Sequence, residues 1–136
     1  MKKLLSTAYS DGAFNFAMLV QRVVTGLLLL IGHGLDKISH FRELSVNFYD
    51  PLRVGHRNSL ILVILAELFC SMFLVLGLFT RIAAFIIVVN FSIVVFIFNS
   101  GQPLKSVELG AFYLVSVFTI MIVGPGRVSV DGMMVK

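Results

Sequence analysis

The chain has 136 residues, of which 58% are hydrophobic and only 13% are charged, and its formal net charge is +4 at pH 7. Such a composition leaves too little polar surface to cover a soluble globule of this size, so it indicates an integral membrane protein. The basic balance fits chain ends that lie beside anionic head groups. The sequence has no basic cluster with interleaved aromatic residues, which argues against a nucleic-acid partner.

Four long apolar segments come close to the roughly 20 residues that a helix needs to cross a hydrocarbon core of about 30 Å. They cover residues 14–35, 59–79, 82–98 and 107–123. We therefore expect an all-α protein, a bundle of four transmembrane helices in contact with the lipid bilayer. Four spans leave little room for anything else, so we expect residues 1–136 to form a single domain.

The N-terminal segment contains Lys2 and Lys3, as a signal peptide would, but Asp11 and Gly12 interrupt it before an apolar core develops. We therefore expect the first span to act as an uncleaved anchor. The Lys and Arg residues divide evenly between the two sides of the membrane, so their bias does not set the orientation. Because the first helix often dominates and Arg81 stands in a very short turn, we expect both termini in the cytoplasm.

The connections between the spans differ in length. The turn at residues 77–82 is so short that the second and third spans must be antiparallel neighbours. After a break near residue 100, Ser106 is available to cap the fourth helix, and Glu108 then falls in its first turn. The connection over residues 36–58 is long and mixes aromatic with charged residues. This predicts an amphipathic segment that lies in the interface or over the mouth of the bundle.

Two opposite charges stand at the centres of two spans, Arg22 in the first and Glu67 in the second. An ionised side chain at this depth normally faces a partner or a polar cavity rather than lipid. Antiparallel packing would place both at one level, where they could form an ion pair that fixes the helices or could line a ligand site. At roughly 100° per residue, Arg22, Gly26, His33 and Lys37 share a stripe that runs from the membrane centre to the mouth under the long loop.

Glu108 reaches the membrane from the side of the long loop, so it could meet His33 and Lys37 at the mouth. A structural interpretation is also open, because a lysine can extend to the interface and a glutamate is favourable at a helix start. The candidate ligand-binding residues are therefore Arg22, His33, Lys37, Glu67 and Glu108.

Other polar residues have simpler interpretations. His33, Asp36 and His40 could share one helical face only if the first helix continues, so we expect no metal site. All three histidines of the chain cluster towards one mouth, which argues against haem ligation across the bundle. We expect Cys70 to be a small buried hydrophobe and Asn90 to form a hydrogen bond between helices.

Four motifs in a fixed order resemble the DoxX family of small four-helix membrane proteins. The motifs are Arg22-Val-Val-Thr-Gly26, His33-Gly-Leu-Asp-Lys37, Leu76-Gly-Leu-Phe-Thr-Arg81 and Gly124-Pro-Gly-Arg-Val-Ser-Val-Asp131, with Glu67 ahead of the third. The resemblance covers nearly the whole chain. It implies an association with membrane redox complexes, including a subunit role in a thiosulfate to quinone oxidoreductase. It thereby implies a quinone as the ligand to test and the inner (plasma) membrane of a bacterium as the location.

The sequence carries no autonomous catalytic motif, because it has no nucleophile paired with a base, no phosphate-binding glycine loop and no flavin or nicotinamide fingerprint. The bundle also resembles that of vitamin K epoxide reductase, but a single cysteine cannot support dithiol exchange. Three functions stay open. The preferred hypothesis is an accessory subunit of a quinone-linked membrane redox complex with an intramembrane polar pocket. The alternatives are a structural or assembly subunit that docks a larger membrane complex without a ligand, and a small-molecule or proton pathway.

Overall fold

The structure, a computed structural model, describes residues 3–136, so Lys2 lies outside the described residues. Within this range the chain forms six helices, and four of them are long and apolar enough to cross a membrane. The predicted all-α bundle of four transmembrane helices is therefore confirmed. The helices are α1 (Asp11–Ser39), α2 (Phe41–Asn47), α3 (His56–Leu76), α4 (Thr80–Phe98), α5 (Leu104–Val123) and α6 (Val130–Met134).

The helix boundaries correct the prediction at two places. The first span continues to Ser39 instead of ending near residue 35, because Gly34 keeps a helical backbone and packs tightly against α3. The fourth span, α5, begins at Leu104, directly after an extended Pro103. Ser106 therefore lies inside α5, and the prediction that it caps this helix is wrong.

The turn between α3 and α4 confirms that these helices form an antiparallel hairpin. Gly77 ends α3 with a φ of 71°, in the left-handed region that favours glycine, and the N–H of Leu78 donates to the carbonyl of Phe73 at 2.9 Å. This hydrogen-bond pattern closes a helix on a left-handed glycine. Further along the hairpin, Asn90 of α4 contacts Glu67 of α3.

Two glycines of α1 bring this helix against α3. A Cβ atom on Gly26 would lie 3.1 Å from the carbonyl oxygen of Ser71, and one on Gly34 would lie 2.9 Å from the carbonyl oxygen of Glu67. Small residues permit such backbone approach between helices in membranes. The contact of Gly34 with Glu67 fixes the register of α1 against α3.

Within residues 3–136, the buried hydrophobic side chains form two clusters, and the smaller one lies under the long loop. There α2 and the residue after it fold back, so that Phe41, Leu44 and Phe48 pack against Leu60 and the following turns of α3. The predicted amphipathic segment is thus a short helix that covers one end of the bundle. The larger cluster fills the space between the long helices and includes Leu29, Leu74, Ala84, Ile87, Val117 and Ile120.

The C-terminal strap, residues 124–136, crosses the opposite end of the bundle. Asp131 accepts hydrogen bonds from the backbone N–H of Phe79 and of Thr80, both at 2.8 Å, and so caps the start of α4. The backbone N–H of Arg127 donates to Asn15 Oδ1 at 2.7 Å. The strap therefore ties the first turn of α4 to the beginning of α1.

Candidate ligand-binding site

The centre of the candidate site is an ion pair between Lys37 of α1 and Glu67 of α3. Lys37 Nζ donates to Glu67 Oε2, and Asn90 Nδ2 of α4 donates to Glu67 Oε1 at 3.3 Å. The Glu67 side chain is 3% exposed and that of Lys37 is 19% exposed. Three helices thus place polar groups at one point. The prediction that Asn90 forms a hydrogen bond between helices is confirmed.

Irregular helical turns position this pair. Three of the long helices contain a π-helical segment within the described residues, at Leu30–Gly34 in α1, Leu65–Phe69 in α3 and Ile93–Phe98 in α4. Such turns are frequent at functional sites, because an extra residue per turn reorients the side chains that it carries. The first two hold His33 and Glu67 and pack against each other.

His33 lies against two aromatic rings beside the ion pair. Its imidazole meets the ring of Tyr113 edge-on with the ring centroids 5.3 Å apart, and that of Phe91 with the centroids 6.2 Å apart. Both rings are buried. These contacts hold the imidazole on the wall of a cavity that Lys37 and Glu67 also line.

The cavity has a volume of about 860 Å³, and its walls are mostly apolar. All four long helices contribute to it, together with α2 and the loop that follows. This volume lies within the range of roughly 300–1,000 Å³ that is typical of small-molecule sites. A mostly apolar cavity with a few convergent polar groups is the arrangement that such sites share.

The electrostatics of the cavity favour a neutral ligand. Lys37 and Glu67 carry opposite charges, and the other acidic residue on the lining, Glu43, is exposed at the rim. An ammonium group has three N–H donors, of which Glu67 takes one. A ligand with carbonyl oxygens could accept from the others, whereas an anion would meet no net positive charge.

The structure does not bring Arg22 to this site, and the prediction that Arg22 and Glu67 share one depth is wrong. The register of the two helices places Gly34 beside Glu67, twelve residues beyond Arg22. At 1.5 Å per residue this separates the two levels by about 18 Å. Arg22 instead donates from Nη2 to the carbonyl of Val128 in the C-terminal strap at 2.7 Å.

Arg22 belongs to a second polar cluster, which we call the strap lock. Its side chain is 1% exposed and lies so close to Gly77 that a Cβ atom there would overlap the guanidinium group. Within the part of the chain that the structure describes, its Nε and Nη1 atoms have no hydrogen-bond partner. Asp131 supplies the nearby opposite charge.

Asp131 holds its negative charge strongly. Burial acts to raise the pKa of Asp131, but the N–H and O–H groups of Thr80, the N–H of Phe79 and the charge of Arg22 together outweigh it. The pKa of Asp131 therefore lies below its ordinary value of 3.8.

Glu108 also lies away from the cavity. Its side chain is exposed, and neighbouring positions of α5, Leu109 and Gly110, face the cavity instead. Because α5 begins at Leu104, Glu108 is past the first turn and turns outwards. Of the predicted ligand-binding residues, the structure therefore brings together His33, Lys37 and Glu67, and it separates Arg22 and Glu108 from them.

The continuation of α1 does not create a metal site. No group of three His, Cys, Asp or Glu side chains within residues 3–136 is arranged to hold a metal ion. Asp36 and His40 are both exposed and approach each other to 3.4 Å. The hydrogen bond of His40 to the Asp36 carbonyl, together with the Asp36 charge, raises the pKa of His40. The cysteine Cys70 is buried, as predicted.

The fold and the site define a class of protein, an integral membrane bundle of four helices with a polar pair on the wall of an interior cavity. The sequence profile of the DoxX family matches residues 17–100, which is more than half of the chain, and this chain belongs to the DoxX family. Searches of the curated proteins and of the solved structures gave no match.

Proposed function

We propose that this protein is an accessory subunit of a quinone-linked membrane redox complex and that its cavity holds a quinone head group. The observation that carries the proposal is the Lys37–Glu67 pair on the wall of a mostly apolar cavity. The association of the DoxX family with membrane redox complexes supports it. Lys37, Asn90 and His33 are the groups that would bind and orient the head group.

The residues fit such a ligand. A quinone ring is flat, apolar on its faces and carries two acceptor oxygens, so it matches apolar walls with N–H donors at one end. Charge-assisted hydrogen bonds from an ammonium group are about twice as strong as neutral ones. A bound quinone accepts electrons and protons. The chain has a single cysteine and no autonomous catalytic motif, so the electrons would come from a partner subunit.

The experiment is native mass spectrometry of the protein extracted from its own membranes, with quinones quantified in the same sample. We expect a bound quinone in the unaltered protein and about tenfold lower occupancy in Glu67→Gln and Lys37→Met. Glu108→Gln and Lys105→Met remove the same charges from exposed positions of α5, so they serve as matched controls and should keep the quinone.

The same sample tests the partner. A stoichiometric protein that carries haem, flavin or iron and sulfur would support the subunit role. Quinone that persists unchanged in Glu67→Gln and Lys37→Met would contradict the site. A stoichiometric partner without any quinone would favour the assembly function instead, and a solitary protein without quinone would contradict both functions.

We further propose that the protein lies in a bacterial inner membrane with both termini in the cytoplasm. Support comes from Lys3, which precedes the first helix, and from Arg81 in its very short turn, because the first helix often dominates the orientation. A C-terminal reporter that is active only in the cytoplasm should give a signal. A reporter that is active only outside the cytoplasm would reverse the orientation.

A further inference from the structure

The two helices of the α3–α4 hairpin separate beyond the contact of Glu67 with Asn90. Between the turn and this contact they pack closely. Past it, most of the cavity lies between the beginning of α3 and the end of α4, and its wall also reaches back along α4 to Val89 and Ile86. The gap in the hairpin is therefore continuous with the polar pair.

The cavity opens between α3 and α4 on the surface that faces lipid. Leu62 of α3 lines the cavity and is 50% exposed, and Ile86 and Val89 of α4 line it and are 42% and 43% exposed. These side chains belong both to the cavity wall and to the outer surface of the membrane spans. We call this lateral opening the portal.

The end of the cavity towards the aqueous phase is partly covered, and the polar residues Glu43 and Asn47 stay exposed there. The ring of Tyr49, in the long loop, packs on that of Phe98 at the end of α4, with the centroids 4.8 Å apart. The loop is held in place by Asp50, which accepts hydrogen bonds from the N–H of Gly55 at 2.7 Å and from the hydroxyl of Ser59 at 2.6 Å. A partly covered, polar aqueous end and an apolar opening on the lipid side favour access of an apolar ligand from the bilayer.

From this geometry we infer that the ligand enters through the portal and carries a long hydrocarbon chain, which stays between Leu62 and Val89 while a neutral head group reaches Lys37 and Glu67. The inference rests on the proposed function. Glu67 stands near the middle of α3, so a charged phospholipid head group would have to leave the interface and lose its hydration to reach it. A neutral ring does not carry that penalty.

The first test varies the chain on a fixed head group. A dimethoxy-methyl-benzoquinone with no side chain is compared with the same quinone carrying a decyl chain, by displacement of a labelled quinone from the purified protein in nanodiscs. With both affinities referred to the concentration of each compound in the nanodisc lipid, we expect the decyl compound to bind about tenfold more tightly than the chainless one, because its chain packs in the portal. Equal affinities would overturn the inference and leave the head-group site standing.

The second test blocks the portal. Val89→Trp should lower the affinity for the decyl compound about tenfold and leave that for the chainless compound nearly unchanged. Phe85→Trp is the matched control, because Phe85 is exposed on the same helix and lies off the cavity. Leu62→Trp and Leu65→Trp form the equivalent pair on α3.

The outcomes separate the two proposals. A Val89→Trp protein that binds the decyl compound normally, or that loses both compounds equally while its helical circular dichroism is unchanged, would overturn the portal. If the unaltered protein binds neither compound, the proposed function fails and the portal fails with it. A third outcome would overturn the assignment of the hydrocarbon chain to a neutral ligand: phospholipid is the one amphiphile that copurifies with the unaltered protein and is lost in Val89→Trp.

Discussion

The protein buries charge at two levels, and the two clusters are built differently. In the strap lock, Arg22 donates to the backbone carbonyl of Val128 and lies against Gly77. In the cavity, Lys37 and Glu67 pair with each other, and both side chains also line the cavity. The first cluster joins chain segments, whereas the second leaves donors available to a ligand.

The difference shows that an intramembrane charge does not by itself mark a binding site. Such residues are retained for packing as well as for function. What distinguishes the two clusters is the space beside them. Arg22 is enclosed by the strap, so its removal should act on stability, whereas removal of Glu67 should act on ligand binding.

The largest effect should follow from Arg22→Ala. This change leaves the Val128 carbonyl without its donor and creates a cavity, so we expect a loss of about 3 kcal/mol in the free energy of unfolding. Cys70 is the single cysteine and is buried, so a thiol-reactive dye that fluoresces on labelling reports thermal unfolding in detergent. The amount of the proposed quinone ligand bound per folded molecule should stay unchanged.

Arg127→Ala is the matched control for this change. The guanidinium of Arg127 lies 3.5 Å from Asp11 in an ion pair that is exposed on both sides. Exposed pairs contribute roughly 0–1 kcal/mol. An Arg22→Ala protein that melts like Arg127→Ala, or that keeps its stability and loses its ligand, would break the distinction between the two clusters.

The sequence predicted the helices well, because spans of apolar residues are specified locally by composition and length. It also predicted the hairpin, since the segment from Gly77 to Arg81 is so short that the two helices it joins must be antiparallel neighbours. The predicted end of α1 was wrong because a glycine usually weakens a helix, whereas Gly34 lies inside α1 and permits its close contact with α3. That contact depends on a neighbour far away in the sequence.

The positions of the candidate residues were predicted only in part, for the same reason. His33, Lys37 and Glu67 were found as polar residues on apolar spans, but the depth of Arg22 depends on how α1 slides along α3. The middle of each span gave the wrong register, because α1 extends beyond the membrane-length segment. Gly26 and Gly34 themselves were the available signal, since small residues mark the close approach of two helices in membranes.

The second-largest effect, after that of Arg22→Ala, should follow from a change at Gly34, whose contact with Glu67 sets the register of α1 against α3. A Cβ atom on Gly34 would lie 2.9 Å from both the carbonyl oxygen of Glu67 and the Cα atom of Leu68, so Gly34→Ala must push α1 away from α3. We expect about 2 kcal/mol of destabilisation, as is typical of overpacking, together with loss of the proposed quinone ligand because the Lys37–Glu67 pair separates.

Gly32→Ala provides the control on the same helix. A Cβ atom at Gly32 would meet nothing within 4 Å, so this protein should be as stable as the unaltered one or slightly more stable, since alanine favours helices. The thiol-dye melting curve and the quinone content measure both effects. If Gly34→Ala kept its ligand, the register of α1 against α3 would not be what forms the site.

The smallest effect concerns the cap that Asp131 makes on α4. Its pKa is lowered in the folded protein, so the cap contributes stability above pH 4, and this contribution is lost as the pH falls through the folded pKa, below 3.8. We expect Asp131→Asn to lower the free energy of unfolding by about 1 kcal/mol at pH 7, which is typical of a helix cap. Circular dichroism melts at pH 7 and pH 3 should show a smaller acid-induced loss in Asp131→Asn than in the unaltered protein. An equal acid-induced loss in both proteins would mean that other carboxylates control it, and that the strap lock does not depend on the charge of Asp131.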